Sequence, residues 1–175
     1  PHLGHSELAT AAAAEFELDL VLWVVAGQQW QKQTELSADI RAHMCELAVA
    51  AHKDWLVSAI DIDRPGPTYT VDTMRDVRAA WPSADVFLIL GADAVAGLRS
   101  WQQSDELAAS TQIIAARRVA SELSSPIGFD IHWLGAQLPD ISSSAIRSMV
   151  GHSDDWRGLV EEQVAEYIEQ VGLYR

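Results

Sequence analysis

DVFLILGAD, Asp85 to Asp93, is the stretch on which the fold turns. Val86 to Leu90 are apolar without a break; a run this short and this continuous reads as a strand covered on both faces, as in a parallel sheet. It ends directly on Gly91, and in open α/β sheets ligands gather beyond the carboxyl ends of the strands. Similar runs stand to either side: DLVLWVVA (19–26), WLVSAIDI (55–62), TQIIAA (111–116) and FDIHWL (129–134).

Helical patterns separate these strands. Ser6 to Glu17 is alanine-rich. Ser37 is placed to cap a helix carrying Ile40, Met44, Leu47 and Ala51, a spacing that puts them on one face. After the RPGP loop (64–67), Thr70 is expected to cap a helix with Val71, Met74 and Val77, which Pro82 stops. A helical stretch lies around Glu106 to Ala109, and two helices close the chain. One starts near Ser143; the other carries Val160, Val164, Ile168 and Val171 and ends on Gly172. Alternating strands and helices predict the α/β class: a mostly parallel sheet layered between helices, with helices at the C-terminus.

The 175 residues suit a single domain, and 49% hydrophobic content excludes disorder. A net charge of −13 repels long polyanions and argues against nucleic acid as a partner. It leaves room for a small phosphate ligand held by local donors. Cys45 has no cysteine to pair with, which suits a reducing, cytoplasmic setting. No apolar run is long enough to span a membrane. A homo-oligomer is left open.

Two short segments carry chemistry. In HLGH, His2 and His5 flank Gly4 at a helix start, where imidazoles and free amides suit a polyphosphate; the plain alternatives are helix capping or a metal pair. In ISSSAIR (141–147), Ser142 and Ser143 can cap a helix while offering donors to a phosphate, with Arg147 one turn on. Its plain reading is a serine-rich cap with a solvated arginine. His43, His52, His132 and His152 lack metal-ligand spacing, and Trp23, Trp55, Trp81 and Trp133 read as core or boundary aromatics.

HLGH and ISSSAIR together resemble the HxGH and ISSTxxR signatures of the Rossmann-like nucleotidyltransferase superfamily. The segments between them narrow the resemblance to nicotinate-mononucleotide adenylyltransferases. AGQQWQK (26–32), PTYTVDT (67–73), LGADAVAGLRSW (90–101) and YIEQVGLYR (167–175) follow that family's order along the whole chain. The resemblance implies a Rossmann-like three-layer sandwich, and one nucleotidyltransferase domain over residues 1–175. It implies adenylyl transfer from ATP to nicotinate mononucleotide by in-line attack. His2, Gly4, His5, Ile141, Ser142, Ser143 and Arg147 would meet the ATP phosphates, with His2, His5 and Arg147 catalytic. Gly91 and Asp93 would contact nucleotide ribose. Gly27, Lys32, Thr70, Trp101 and Arg117 would line the nicotinate nucleotide site, where an aromatic face suits a cationic pyridinium. Mg2+ would be bound through the nucleotide phosphates.

The family also begins with a strand and a GGTFDP-like turn ahead of HxGH, which the resemblance places upstream of Pro1. Val25, Ser144 and Val119 depart from its usual proline, threonine and proline. Rival readings are the same chemistry on nicotinamide mononucleotide or phosphopantetheine, or a nucleotide-binding module without catalysis.

Overall fold

The computed structural model describes residues 1–29, 36–117, 125–152 and 154–175. They divide into two compact units: one of Pro1–Val25, Leu36–Ser58 and Pro139–Arg175, the other of the described residues within 26–35 and 59–138.

In the first unit, β1 (Val21–Val24) pairs in parallel with β3 (Trp55–Ser58), Val21 opposite Trp55 and Val24 opposite Ser58. Four helices belong to it: α1 (Leu3–Glu15), α2 (Ala38–Val49), α6 (Ser143–His152) and α7 (Glu162–Val171). Ser37 caps α2 as expected, its Oγ accepting the Ile40 N–H at 3.4 Å. The core joins Met44 and Ala48 of α2, Ile146 and Val150 of α6, and Val164, Ala165 and Ile168 of α7. Gly172 ends α7 in the left-handed region (φ 71°), and the Leu173 N–H reaches back to the Ile168 carbonyl at 3.0 Å. A glycine takes that backbone without Cβ strain.

In the second unit, β5 (Phe87–Leu90), β6 (Gln112–Arg117) and β7 (Asp130–Gln137) form a parallel sheet in that order. A second parallel pair joins β2 (Gln28–Gln29) to β4 (Pro67–Thr68). Helices α3 (Thr70–Ala80), α4 (Ala92–Gly97) and α5 (Ser104–Ser110) complete it. Val71, Met74, Val95, Leu98, Leu107, Ile113, Ala115 and Phe129 make its core.

All these pairings are parallel, and those of β1, β3, β5, β6 and β7 follow the apolar runs as expected, but Phe87–Leu90 of β5 are only half-buried where the unbroken run predicts cover on both faces. Some boundaries move. α1 begins at Leu3, inside the opening motif as expected, with His2 as its N-cap, and ends at Glu15, two residues short of Glu17. Thr70 is the first helical residue of α3 and not its cap; extended Tyr69 (φ −125°, ψ 138°) holds that position without a side-chain cap bond. Val160 sits in extended backbone ahead of α7. The pair β2 and β4 was not legible in a loop rich in proline and glycine.

Candidate active site

The first turn of α1 carries the paired imidazoles. His2 is only 8% exposed. Its backbone N–H donates to His5 Nδ1 at 3.3 Å, and the His5 N–H returns to the His2 carbonyl at 2.8 Å. The two rings stack with centroids 3.8 Å apart, 25° from parallel. A neutral imidazole whose Nδ1 accepts a hydrogen bond carries its proton on Nε2. His5 therefore presents Nε2–H as a donor. Trp23 of β1 meets the His5 ring edge-on at 6.4 Å and stacks on Trp55 of β3 at 5.6 Å. Its place beside His5 has no signal in the sequence, where it reads as an ordinary core aromatic.

Gly4 joins the two phosphate-shaped segments. A Cβ there would lie 3.1 Å from Nδ1 and Cε1 of His2 and 3.6 Å from the Ile141 Cβ. The first distance explains the glycine, since a methyl would press on the His2 ring. The second brings the start of α1 against the residue that leads into α6. Ser142 caps α6, its Oγ accepting the Ala145 N–H at 3.2 Å and lying 3.2 Å from Ser144 Oγ. Ser143 opens the helix, and Ser143 and Arg147 are both exposed. Arg147 has no acidic partner among the described residues. Arg64, Arg75, Arg99 and Arg157, by contrast, each hold a carboxylate.

Burial is the main cause that pushes both imidazoles down from 6.5, His2 to about 4 and His5 to about 3. An edge of His5 stays open to solvent, while its stacked face is packed on His2. At neutral pH the pair is thus uncharged, and it presents N–H dipoles rather than charge. Between pH 6.5 and these lowered values the folded chain binds fewer protons than the unfolded one, so this contribution to stability is full above 6.5 and falls away as the pH drops. Melting temperatures measured from pH 8 to 4 should decline less steeply in a His2→Gln/His5→Gln double variant than in the parent.

In the second unit, Gly91 forms the N-cap of α4, with open space where a Cβ would stand. Asp93 lies exposed in the first turn. The Asp72 and Thr73 amides bond the Tyr69 carbonyl at 3.0 and 3.2 Å, which leaves the Thr70 and Val71 amides at the open end of α3. Trp101 ends a 3-10 turn (Leu98–Ser100), its N–H on the Leu98 carbonyl at 3.1 Å, and its side chain packs part-buried on the core of this unit. Arg117 closes β6, exposed and opposite Gln137. Gly27 has a steric reason of its own: a Cβ would sit 2.1 Å from the Asp61 carbonyl oxygen and 2.9 Å from Thr68 Cγ2. Lys32 lies outside the described residues.

Behind Thr70 lies a polar knot that the sequence does not advertise. Buried Asp61 accepts from Thr73 Oγ1 at 2.7 Å and from Arg64 Nη1 at 3.1 Å, both on Oδ1. The other arm of Arg64 holds Asp76. These bonds tie the loop from Asp61 to Thr68 onto α3. A charge-assisted bond to a buried carboxylate is among the stronger ones in a protein.

The donors at the α1 and α6 starts are imidazole N–H, hydroxyl, amide and guanidinium groups, which address phosphate oxygens rather than a divalent cation. Among the described residues no cluster of three or more His, Cys, Asp or Glu could hold a metal ion. No helix of the described residues is long and apolar enough to cross a membrane.

The sequence pattern of the cytidylyltransferase-like family matches residues 1–149. A probable nicotinate-nucleotide adenylyltransferase of Paenarthrobacter aurescens is 41% identical over 175 residues, spanning 99% of this chain and 85% of the relative. One from Streptomyces coelicolor is 40% identical over 179 residues, spanning 99% and 95%. Among solved structures, Plasmodium falciparum nicotinic acid mononucleotide adenylyltransferase complexed with NaAD superposes with a TM-score of 0.82, covering 99% of this chain and 91% of that one at 16% identity. A putative nicotinate-nucleotide adenylyltransferase from Vibrio parahaemolyticus gives a TM-score of 0.73 at 17% identity, covering 100% and 88%. At those identities the structures speak for a shared Rossmann-like fold, while the sequence relatives carry the family. With HLGH and ISSSAIR standing side by side in that fold, the chain belongs to the cytidylyltransferase-like family, among its nicotinate-nucleotide adenylyltransferases.

Proposed function

We propose that residues 1–175 work as one nucleotidyltransferase domain that joins ATP to nicotinate mononucleotide, giving nicotinate adenine dinucleotide and pyrophosphate. The observation that carries this reading is the approach of Gly4 to Ile141, 3.6 Å from a Cβ at position 4, which sets two donor-rich helix starts beside each other. One helix start is a common feature; two that converge with paired imidazoles and an arginine without an acidic partner among the described residues suit a triphosphate.

In the reaction, an oxygen of the mononucleotide phosphate attacks the α-phosphorus of ATP. The bond from that phosphorus to the bridging oxygen breaks, and its electron pair leaves on pyrophosphate. No covalent bond to the protein forms. The work left to the chain is to hold the phosphates in line and to stabilise charge as it moves onto them. His5, with its proton on Nε2, donates to the phosphates, and buried His2 keeps the His5 ring oriented through the bond to Nδ1. The Ser142 and Ser143 hydroxyls, the first amides of α6 and Arg147 hold the β- and γ-phosphates, with Gly4 and Ile141 forming the floor. Gly91 and Asp93 contact nucleotide ribose. Amides at Thr70 meet the nicotinate carboxylate, and Trp101 offers a face to the pyridinium. Gly27, Lys32 and Arg117 belong to the same nucleotide site. Mg2+ held through the nucleotide phosphates would neutralise part of their charge, with no residue of the chain assigned to it.

Initial rates with nicotinate and nicotinamide mononucleotides test the substrate. The acid should be strongly preferred, because free amides at Thr70 gain from a carboxylate and gain little from a neutral amide. A strong preference for the amide would overturn the assignment. Release of pyrophosphate with neither would favour a binding module.

A further inference from the structure

The two candidate walls of the nicotinate pocket, Thr70 and Trp101, stand on separate elements, and one side chain outside the pocket spans both. Arg75 lies five residues beyond Thr70 on α3. Its Nη1 bonds Asp72 of the same helix at 2.6 Å. Its Nε donates to Glu106 Oε1 at 2.8 Å while Nη2 donates to Glu106 Oε2, a two-pronged grip on α5. Nη2 also donates to Gln103 Oε1 at 2.8 Å. Gln103 follows Trp101 by two residues and sits in the left-handed region, φ 51°, ψ 41°. A residue with a Cβ occupies that region only when its surroundings hold it there.

We infer that Arg75 is a positioning residue for the nicotinate pocket, setting Trp101 against Thr70 by holding the left-handed turn at Gln103 onto α3. The inference rests on the assignment of Thr70 and Trp101 to that pocket. Apolar packing of Val71, Met74, Leu98 and Leu107, with Tyr69 and Trp101 against them, brings the elements together. Such packing is non-directional and tolerates sliding. The planar guanidinium is directional: the fork on Glu106 and the bond to Gln103 allow one register between α3 and the turn. Glu106 is drawn below the usual carboxylate range by the same contact. Ion pairs this exposed contribute little to overall stability, so the effect of Arg75 falls on pocket geometry rather than on folding.

Steady-state kinetics on the full chain test this. Arg75→Ala should raise KM for nicotinate mononucleotide about tenfold, and leave KM for ATP within about twofold, because a sub-ångström shift of one wall acts on one substrate. Arg75→Lys should behave like alanine, since an ammonium keeps the charge but cannot make the fork. In a Trp101→Ala background, Arg75→Ala should add little, the signature of two residues acting through one contact. Should Arg75→Ala not fold, Gln103→Ala, which removes the acceptor on the turn and leaves Arg75 on Glu106, carries the same expectations. An unchanged KM for the mononucleotide, an equal rise in both KM values, wild-type behaviour of the lysine variant, or full additivity with Trp101→Ala each overturns the inference. Trp101→Ala separates the two levels: if it leaves KM for the mononucleotide unchanged the pocket assignment itself fails, and if it raises KM while Arg75→Ala does not, only the role of Arg75 fails.

Discussion

His5→Ala should lower turnover by at least about a hundredfold, the scale seen when one preorganised donor to developing charge is removed. The expectation follows from three contacts. The His2 N–H on His5 Nδ1 fixes the ring and leaves the proton on Nε2, the stack on His2 at 3.8 Å restrains rotation, and Trp23 meets the ring edge-on at 6.4 Å. Such a donor needs no reorganisation when charge shifts onto the phosphates. His5→Gln separates dipole from charge: a glutamine Nε2 reaches a similar position and donates, but never becomes a cation. Because burial keeps His5 neutral, with a pKa of about 3, the glutamine variant should recover a substantial part of the lost rate. Single-turnover rates of the three proteins at saturating ATP provide the measurement. Equal losses in the alanine and glutamine variants would show that the imidazolium charge is what matters, and a near-normal alanine variant would remove the mechanism.

Gly27→Ala should unfold the loop region it belongs to. A methyl there would stand 2.1 Å from the Asp61 carbonyl oxygen and 2.9 Å from Thr68 Cγ2, inside any tolerable contact. The obstacle is backbone, so no rotamer change relieves it. The short parallel pairing of Gln28 with Pro67 and Gln29 with Thr68 would have to part. The knot of Asp61, Thr73 and Arg64 holds the opposing segment in place and resists that movement. Overpacking typically costs about 1–3 kcal/mol, and a backbone clash this close belongs at the upper end, which for a chain of this size lowers Tm by roughly 6–12 °C. Thermal melting of the variant tests it, and an unshifted Tm would show that the loop yields. Gly4→Ala, with its nearest contacts at 3.1 Å to a side chain, should cost less stability and more activity.

These two glycines show where reading the sequence stops. Both sit in motifs that a family resemblance marks, and from the sequence each is a place where a ligand or backbone comes close. Only the folded chain says which: Gly27 is filled by the Asp61 carbonyl and Gly4 by the His2 ring, while Gly91 faces open space. Arg147 and Arg75 likewise look alike in sequence, two arginines on helices. Folding leaves the first without an acidic partner among the described residues and surrounds the second with Glu106, Asp72 and Gln103.

What the sequence determined by itself was local or periodic. Apolar runs such as Val86 to Leu90 predict parallel strands, though this one is only half-buried, Ser37 and Gly172 mark helix ends, and the spacing of His2 and His5 puts two imidazoles in one turn. Each of these depends on neighbours within a few residues, whose effect on backbone geometry is direct. Only the tertiary structure decided the rest: the approach of position 4 to position 141, the edge of Trp23 on His5, and the hold of Arg75 on the turn after Trp101. Those contacts join residues between 18 and 137 positions apart. They exist because burying the apolar faces of strands and helices fixes which segments meet, and no local preference encodes that choice.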